Sequence, residues 1–326
     1  MLSSALKAVL LATTSGLDLN FAGGAYRMNG VRGSSPSDLP GWTFSRTGAG
    51  TALDLADNVV NFATGVPRIT NRGILIEEAR TNLLLNSATL STQNVTVTAV
   101  AHSLSFWGTG TITLSGVSTA GPLVGTGANN RVTLTFTPTA GTLTLTVSGS
   151  VTLAQLEAGA FPTSYIPTTG AAATRARDIV SVSPPPGLTY PLTLFAEIER
   201  TVDTGAAEGY LAAALDGSNF GEIFITTGDK ANCSTTGGGS KSSVASVPVG
   251  AVSKIAGRCA TNNVNVALNG TAASPDTSAT MPTAPISIQF GVEIGTGAGS
   301  QPNGYTRRAT VYPTAYSDAQ LAALTA

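Results

Sequence analysis

Val132-Thr-Leu-Thr-Phe136 and Leu143-Thr-Leu-Thr-Val147 alternate apolar side chains with threonine hydroxyls without a break. Period two is the side-chain repeat of a β-strand, so each segment carries one aliphatic face and one hydroxyl face. Thr137-Pro-Thr-Ala-Gly141 lies between them and reads as a turn, which predicts a hairpin. The hydroxyl face can meet water or a partner chain without exposing a sticky patch. Upstream, Val95, Val97 and Ala99 alternate with threonines, and Ile112 and Leu114 repeat the theme. A β-sandwich over residues 88–182 is the expectation.

The pattern restarts after Ser183-Pro-Pro-Pro-Gly187. Consecutive prolines hold an extended conformation and donate no ladder hydrogen bonds, so residues 183–187 read as a stiff linker. Beyond it, Leu192, Leu194, Ala196 and Ile198 alternate, and Ile223 and Ile225 follow. Val264, Val266 and Leu268 run into an Asn269-Gly270 turn; then come Ile286, Ile288, Phe290 and Val292, and a last strand over Tyr305–Tyr312. Ser317-Asp-Ala-Gln320 has the form of a capping box opening a short helix, Asp318–Leu324. Residues 188–326 are thus a second β-sandwich. At the other end, Leu17–Phe21 and Val59–Phe62 read as short strands, with Trp42 and Phe44 returning to a core, inside a turn-rich region over residues 21–87. Leu2, Leu6, Val9 and Leu10 share one helical face, which predicts an anchoring or self-associating helix within residues 1–20.

Composition narrows the function. The 326 residues carry a formal charge of -1, with no basic footprint for nucleic acid. Charged residues are 11% of the chain, against about 25% in ordinary globular proteins; Thr, Ser, Ala and 37 glycines replace them. No apolar run is long enough for membrane insertion as a helix. Cys233, Cys259 and the single histidine, His102, are too few for a four-ligand zinc site. The two cysteines are either buried free thiols or a disulfide. Asp203, Asp216 and Asn219 are the nearest thing to a calcium-binding set, but no Asp-x-Asp ladder supports it, and no metal or cofactor is assigned.

Against this background Gly73-Ile-Leu-Ile-Glu-Glu-Ala-Arg-Thr-Asn-Leu-Leu-Leu-Asn-Ser87 is unusual, with Glu77, Glu78 and Arg80 set between two aliphatic triplets. It reads as a docking segment with buried ends, Arg80 pairing with a nearby carboxylate. Its Glu-Ala-Arg-Thr-Asn-Leu core, with Asn82 as the amide, resembles the signature of bacteriophage virion proteins called head-spike, head-fibre or tail-fibre proteins. The companions of that signature are Phe44-Ser-Arg46, Val66-Pro-Arg68 and Gln155-Leu-Glu-Ala-Gly-Ala-Phe-Pro-Thr-Ser-Tyr-Ile-Pro-Thr168, in the family's order. In that family the region after the signature resembles a carbohydrate-binding jelly roll. Residues 190–325 resemble a laminin-G or concanavalin-like lectin sandwich, on Ile255-Ala-Gly-Arg258, Val264–Gly270 and Arg308–Leu321. The resemblance implies a virion surface protein, assembled in bacterial cytoplasm and joined to capsid or tail proteins through its N-terminal segment. It also implies self-association, as a trimer or a vertex pentamer, and attachment to a host cell-surface glycan. Alternatives are a tail-fibre receptor-binding protein, a capsid-cementing decoration protein and a capsular polysaccharide depolymerase.

No catalytic residue is assigned. His102 is the only imidazole, and the chain has no Gly-x-Ser-x-Gly elbow, so a serine hydrolase is not supported. Glu197 and Glu199, two apart on a strand, are the best glycosidase pair, yet their simplest place is a solvated face beside Arg200. Gly237–Ser242 lacks the glycine a phosphate loop needs before its lysine and reads as a hairpin tip. For a sugar, an aromatic platform with amide partners is required. Tyr210, Asn219, Phe220, Asn262, Asn263, Asn303 and Tyr305 are the candidates.

Overall fold

The strand Leu17–Asn20 pairs with Gly304–Tyr312, joining the two ends of the sequence in one sheet. The computed structural model describes residues 16–216, 219–236, 238–282, 284–291 and 301–326. The N-terminal helix expected around Leu2–Leu10 and the strand position of Val292 lie outside the described residues. Among the described residues the fold is all-β with one short α-helix, Asp318–Thr325, capped by Ser317 and Gln320 as the sequence predicts.

Two units emerge, and neither is a continuous stretch. The first comprises Met1–Ser45, Ile69–Glu78 and Asp178–Ala326; the second comprises Arg46–Arg68 and Ala79–Arg177. The expected division at residues 183–187 is therefore corrected. The strands flanking those prolines, Ile179–Val182 and Leu192–Arg200, belong to the two sheets of one unit. A proline run gives a stiff crossover between sheets as readily as a spacer between domains.

In the first unit a ten-stranded sheet holds, in order, Thr271–Ala272, Asn265–Leu268, Val252–Cys259, Leu192–Arg200, Gly304–Tyr312, Leu17–Asn20, Ala25–Met28 and Val31–Gly33. Gly73–Ile76 also pairs with Gly304–Tyr312, and Ile69–Thr70 pairs with it in turn. The facing sheet has seven strands: Ser240–Ser246, Lys230–Thr235, Asn219–Ile225, Glu208–Asp216, Ser287–Phe290, Ile179–Val182 and Thr43–Ser45. Leu19, Ile74, Leu194, Ile198 and Val311 from one sheet meet Val180, Leu211, Ile223 and Phe290 from the other in a single core. Each such side chain, fully buried, contributes about 1.5–3 kcal/mol of transfer free energy. The helix packs Leu321 on the outer face of the ten-stranded sheet, against Phe195, Tyr312 and Tyr316.

Cys233 and Cys259 sit in opposite sheets with their sulfurs 3.6 Å apart. Both are buried free thiols. Gly221 and Gly257 make room for them, because a Cβ at either would stand 2.8 Å from a sulfur. The hydrogen bond with Cys259, and then burial, push the Cys233 thiol well above its usual range. Alkylation of the native protein is therefore expected to label neither cysteine within hours, and unfolding in denaturant to release two. Labelling of the native protein at the rate of a free thiol would contradict this packing.

The second unit is a smaller sandwich. One sheet orders Gln93–Val97, Gly141–Ser148, Thr111–Gly116 and Leu123–Val124; the other orders Gly127–Phe136, His102–Gly108 and Val151–Ala158. Leu104, Phe106, Phe136 and Leu156 face Ile112, Leu114, Leu143 and Leu145 across its core. The predicted hairpin is thus not formed: its two arms lie in opposite sheets. Gly141–Ser148 has both edges occupied, by Gln93–Val97 and by Thr111–Gly116, and so cannot also pair with Gly127–Phe136. Period two selects the buried face of each arm but not its neighbour.

Candidate functional site

The signature stretch divides between the two units. Ile74, Leu75 and Ile76 are buried in the first unit, and the chain is held there by Glu77, whose N–H donates to Asp178 Oδ2 at 2.9 Å. Glu78 donates its N–H to Asn303 Oδ1 at 3.2 Å. Arg80–Asn82 forms a short ladder with Ala173–Arg175 in the second unit. Leu84 is buried there, while Leu85 is exposed.

Asn82 is the keystone of the second unit. Its side chain is fully buried and its amide donates to the carbonyls of Ala154 (3.0 Å) and Ile166 (2.9 Å). Its oxygen accepts the N–H groups of Leu84 and Leu156, both at 3.2 Å. The Gln155–Thr168 stretch thereby closes on the signature. Gln155 donates to Glu157 Oε1 (2.9 Å) and accepts the N–H of Ile166 (2.6 Å). Glu157, fully buried, also accepts the N–H (2.5 Å) and hydroxyl (2.8 Å) of Thr163. Ser87 and Tyr165 hydroxyls meet at 2.8 Å. The other companion motifs act in the same way: Arg46 donates to the carbonyls of Gly48, Ala63 and Val66, and Arg68 to the carbonyl of Thr51 and the Ser164 hydroxyl. These motif residues hold backbone in place.

Arg80 also stands on a cleft wall. Its carboxylate partner is Glu157, but at 3.8 Å, and its guanidinium lies over the Phe161 ring, 5.0 Å from the centroid. Gly159, at φ 143°, brings bare backbone against that guanidinium, which a side chain there would displace. Arg80 opens onto a cleft of about 460 Å³ at the mouth of the sandwich, within the ~300–1,000 Å³ usual for small-molecule sites. The hydroxyl-bearing residues Thr81, Thr96, Thr98 and Thr174 line it, with Leu83, Val97, Ala79 and Ala158 as the apolar wall.

His102 lines the same cleft. It is 1% exposed and stacks on Phe136. Its Nδ1 lies 2.8 Å from the Val100 carbonyl, to which it donates. His102 thus packs within the sandwich and borders the cleft.

The distal candidates do not converge. Tyr210 is fully buried, with its hydroxyl donating to Glu208, and Tyr305 is buried beneath the Arg72 guanidinium. Asn303 is buried and braces Glu78. None of these three has surface to offer a sugar. Asn263 is exposed, yet its side-chain oxygen and carbonyl both accept from Arg258. Asn262 is an exposed turn residue at φ 52° in the ten-stranded sheet's turn before Asn265–Leu268. Asn219 and Phe220 open a strand of the other sheet, Phe220 packing on Ala212 and Ala214.

Glu197 and Glu199 are ion-paired: Arg307 holds Glu197 at 2.8 Å, and Arg72 grips Glu199 through two bonds of 2.6 and 3.0 Å. Such clamped carboxylates are structural. Glu197→Gln is expected to cost under about 1 kcal/mol, as for a partly exposed pair, and chemical denaturation would show a larger loss if Glu197 did more. Asp203 pairs with Arg200 at 3.4 Å; the Asp216 side chain lies outside the described residues. Among the described residues no three His, Cys, Asp or Glu side chains are grouped to hold a metal ion, and no helix is long and apolar enough to cross a membrane.

No family model and no curated protein matches the sequence. Similar solved structures include the carbohydrate-binding module CBM40 of a Ruminococcus gnavus sialidase bound to α2,3-sialyllactose. It is 17% identical over 42% of this chain and 83% of that one, with a TM-score of 0.36. A heptameric SAP-like pentraxin from Limulus polyphemus is 14% identical over 43% and 73%, with a TM-score of 0.33. Trypanosoma rangeli sialidase in complex with sialic acid is 13% identical over 40% and 22%, with a TM-score of 0.34.

Proposed function

We propose that this chain is a structural protein of a phage or phage-like particle, a head spike or fibre that holds a host-surface glycan. Residues 1–20 join it to other virion proteins, and copies of the chain associate with one another. The observation that carries the binding half is the second-unit cleft. Two motif stretches, Gly73–Ser87 and Gln155–Thr168, lock together through Asn82 and Ser87 and leave Arg80 on a cleft lined by threonines. Mixed hydroxyl and aliphatic walls suit a sugar ring, which offers O–H groups at its edge and C–H groups on its faces. The virion half rests on the resemblance of those same stretches. The depolymerase alternative loses its best carboxylate pair to Arg72 and Arg307.

Particles assembled with the full chain are expected to retain it through purification, and particles assembled with a chain lacking residues 1–20 to lose it. Full retention of the shortened chain would remove the anchor. Fragile heads with undiminished host binding after loss of the whole chain would favour capsid cementing instead.

A further inference from the structure

Cys233 and Cys259 are the only two cysteines of the chain and stand 26 positions apart in sequence, one in each sheet of the first unit. Their sulfurs are 3.6 Å apart, in contact but not bonded. Packed sheets usually stand about 10 Å apart, more than the ~4.4–6.8 Å between the Cα atoms of a disulfide. Here the gap is narrower. Lys230–Thr235 and Val252–Cys259, one from each sheet, bring Cα atoms within 8 Å of each other. Gly257 admits Cys233 to that gap, since a Cβ on it would stand 3.0 Å from the Cys233 Cβ and 2.8 Å from its sulfur. Gly221 does the same opposite Cys259, whose sulfur would lie 2.8 Å from an added Cβ. Two cysteines on facing strands, each with a bare glycine opposite, can close on each other by rotation about their own side-chain bonds.

We infer that Cys233 and Cys259 form a disulfide site whose state is set when the chain folds. In a reducing medium the sandwich closes on two thiols; in an oxidising one it closes on a bond that joins its two sheets. The chemistry is exchange with a small-molecule disulfide such as oxidised glutathione. One cysteine thiolate attacks it, forming a mixed disulfide and releasing one glutathione. The second cysteine thiolate attacks the mixed disulfide at the protein sulfur and releases the other. Two protein thiols are thereby oxidised, one glutathione disulfide is reduced to two thiols, and the two protons pass to the released glutathiones. These steps belong to the open chain, because both cysteines are fully buried in the folded one. With two cysteines a single intramolecular pairing exists, so no mispaired form competes.

The test is refolding of the full chain from denaturant, either in dithiothreitol or in a mixture of reduced and oxidised glutathione, followed by peptide mapping without reductant and a melting curve. The glutathione sample is expected to yield the Cys233 and Cys259 peptides joined to each other, with no chain-to-chain disulfide. It is also expected to melt about 5 °C or more above the dithiothreitol sample, as closure of a loop of this length gives. Reduced chain that is already folded, kept in the same glutathione mixture for the same time, is expected to retain both thiols. A double variant, Cys233→Ala with Cys259→Ala, is expected to melt alike from the two buffers, and a rise in that variant would remove the pair as its cause. Free thiols, glutathione adducts or linked dimers after oxidative refolding would overturn the site. A linked chain melting no higher than the reduced one would show a bond that the fold does not accommodate and would overturn it too. Linkage of the already folded chain would overturn the claim that folding sets the state.

Discussion

Asn82→Leu is expected to destabilise the second unit by about 4 kcal/mol or more. Four backbone groups lose their partner at once: the N–H groups of Leu84 and Leu156 and the carbonyls of Ala154 and Ile166. The site is fully buried, so water does not replace the amide, and each orphaned group costs about 1–3 kcal/mol. Leucine is close to asparagine in size, which keeps cavity formation out of the comparison. Trp107, buried in the second unit, reports the transition by fluorescence in a Trp42→Phe background. A loss below about 1 kcal/mol by urea titration would mean that the amide is not the lock between the two motif stretches.

Arg200→Met is expected to cost the first unit about 3–5 kcal/mol at neutral pH. Arg200 is fully buried and holds Glu208 through two bonds of 2.8 and 3.1 Å, Asp229 at 2.8 Å and the Val247 carbonyl at 3.0 Å. Removing it strands the Glu208 carboxylate, which is itself fully buried. Burial already pushes the Glu208 carboxyl above its ordinary value of 4.5, with the Arg200 bonds opposing that rise. The sign follows: an acid with a raised folded-state pKa binds its proton more tightly when folded. Its unfavourable contribution is therefore absent below about 4.5 and grows as pH rises through the folded-state value. Without Arg200 the rise is larger, so the loss caused by Arg200→Met is expected to shrink on going from pH 7 to pH 5. A loss independent of pH would mean that packing of the arginine stem, not the stranded carboxylate, sets the cost.

The strands with strict alternation were legible in the sequence. Leu192–Arg200, Asn265–Leu268 and Gly304–Tyr312 stand where their patterns place them, as does the capped helix after Ser317. Among the strands of the seven-stranded sheet that escaped notice are Glu208–Asp216, Lys230–Thr235 and Ser240–Ser246. Residues 208–214 are buried on both faces and Ser240–Ser246 is mostly exposed, so neither sequence alternates and no period shows. Partnership was less legible than strand character. Asp18 binds Arg308 through two bonds of 2.7 and 2.6 Å across 290 positions of sequence, and no local pattern reveals that the first strand belongs beside the last. The interleaving of the two units has the same cause.

For the site, the motif residues stood out in the sequence but their work did not. Asn82 is a buried crosslink, while Arg80 is the one that reaches a cleft. The threonines of the cleft look, in sequence, like every other hydroxyl face in this chain. Tyr210, Asn303 and Tyr305 looked like a sugar platform because aromatic and amide side chains serve cores and turns equally well; burial decides between the two.

The central proposal is recognition of a glycan, without cleavage, at the second-unit cleft. The most direct measurement is size-exclusion chromatography of a fluorescent polygalacturonate oligomer incubated with the full chain. The label is expected to move forward and elute with the protein, to return to its original position when Thr98 on the cleft rim is replaced (Thr98→Trp), and to keep its length when the protein is removed. Label eluting later than the starting oligomer, as shortened chains, or label carried forward equally by Thr98→Trp, would contradict it.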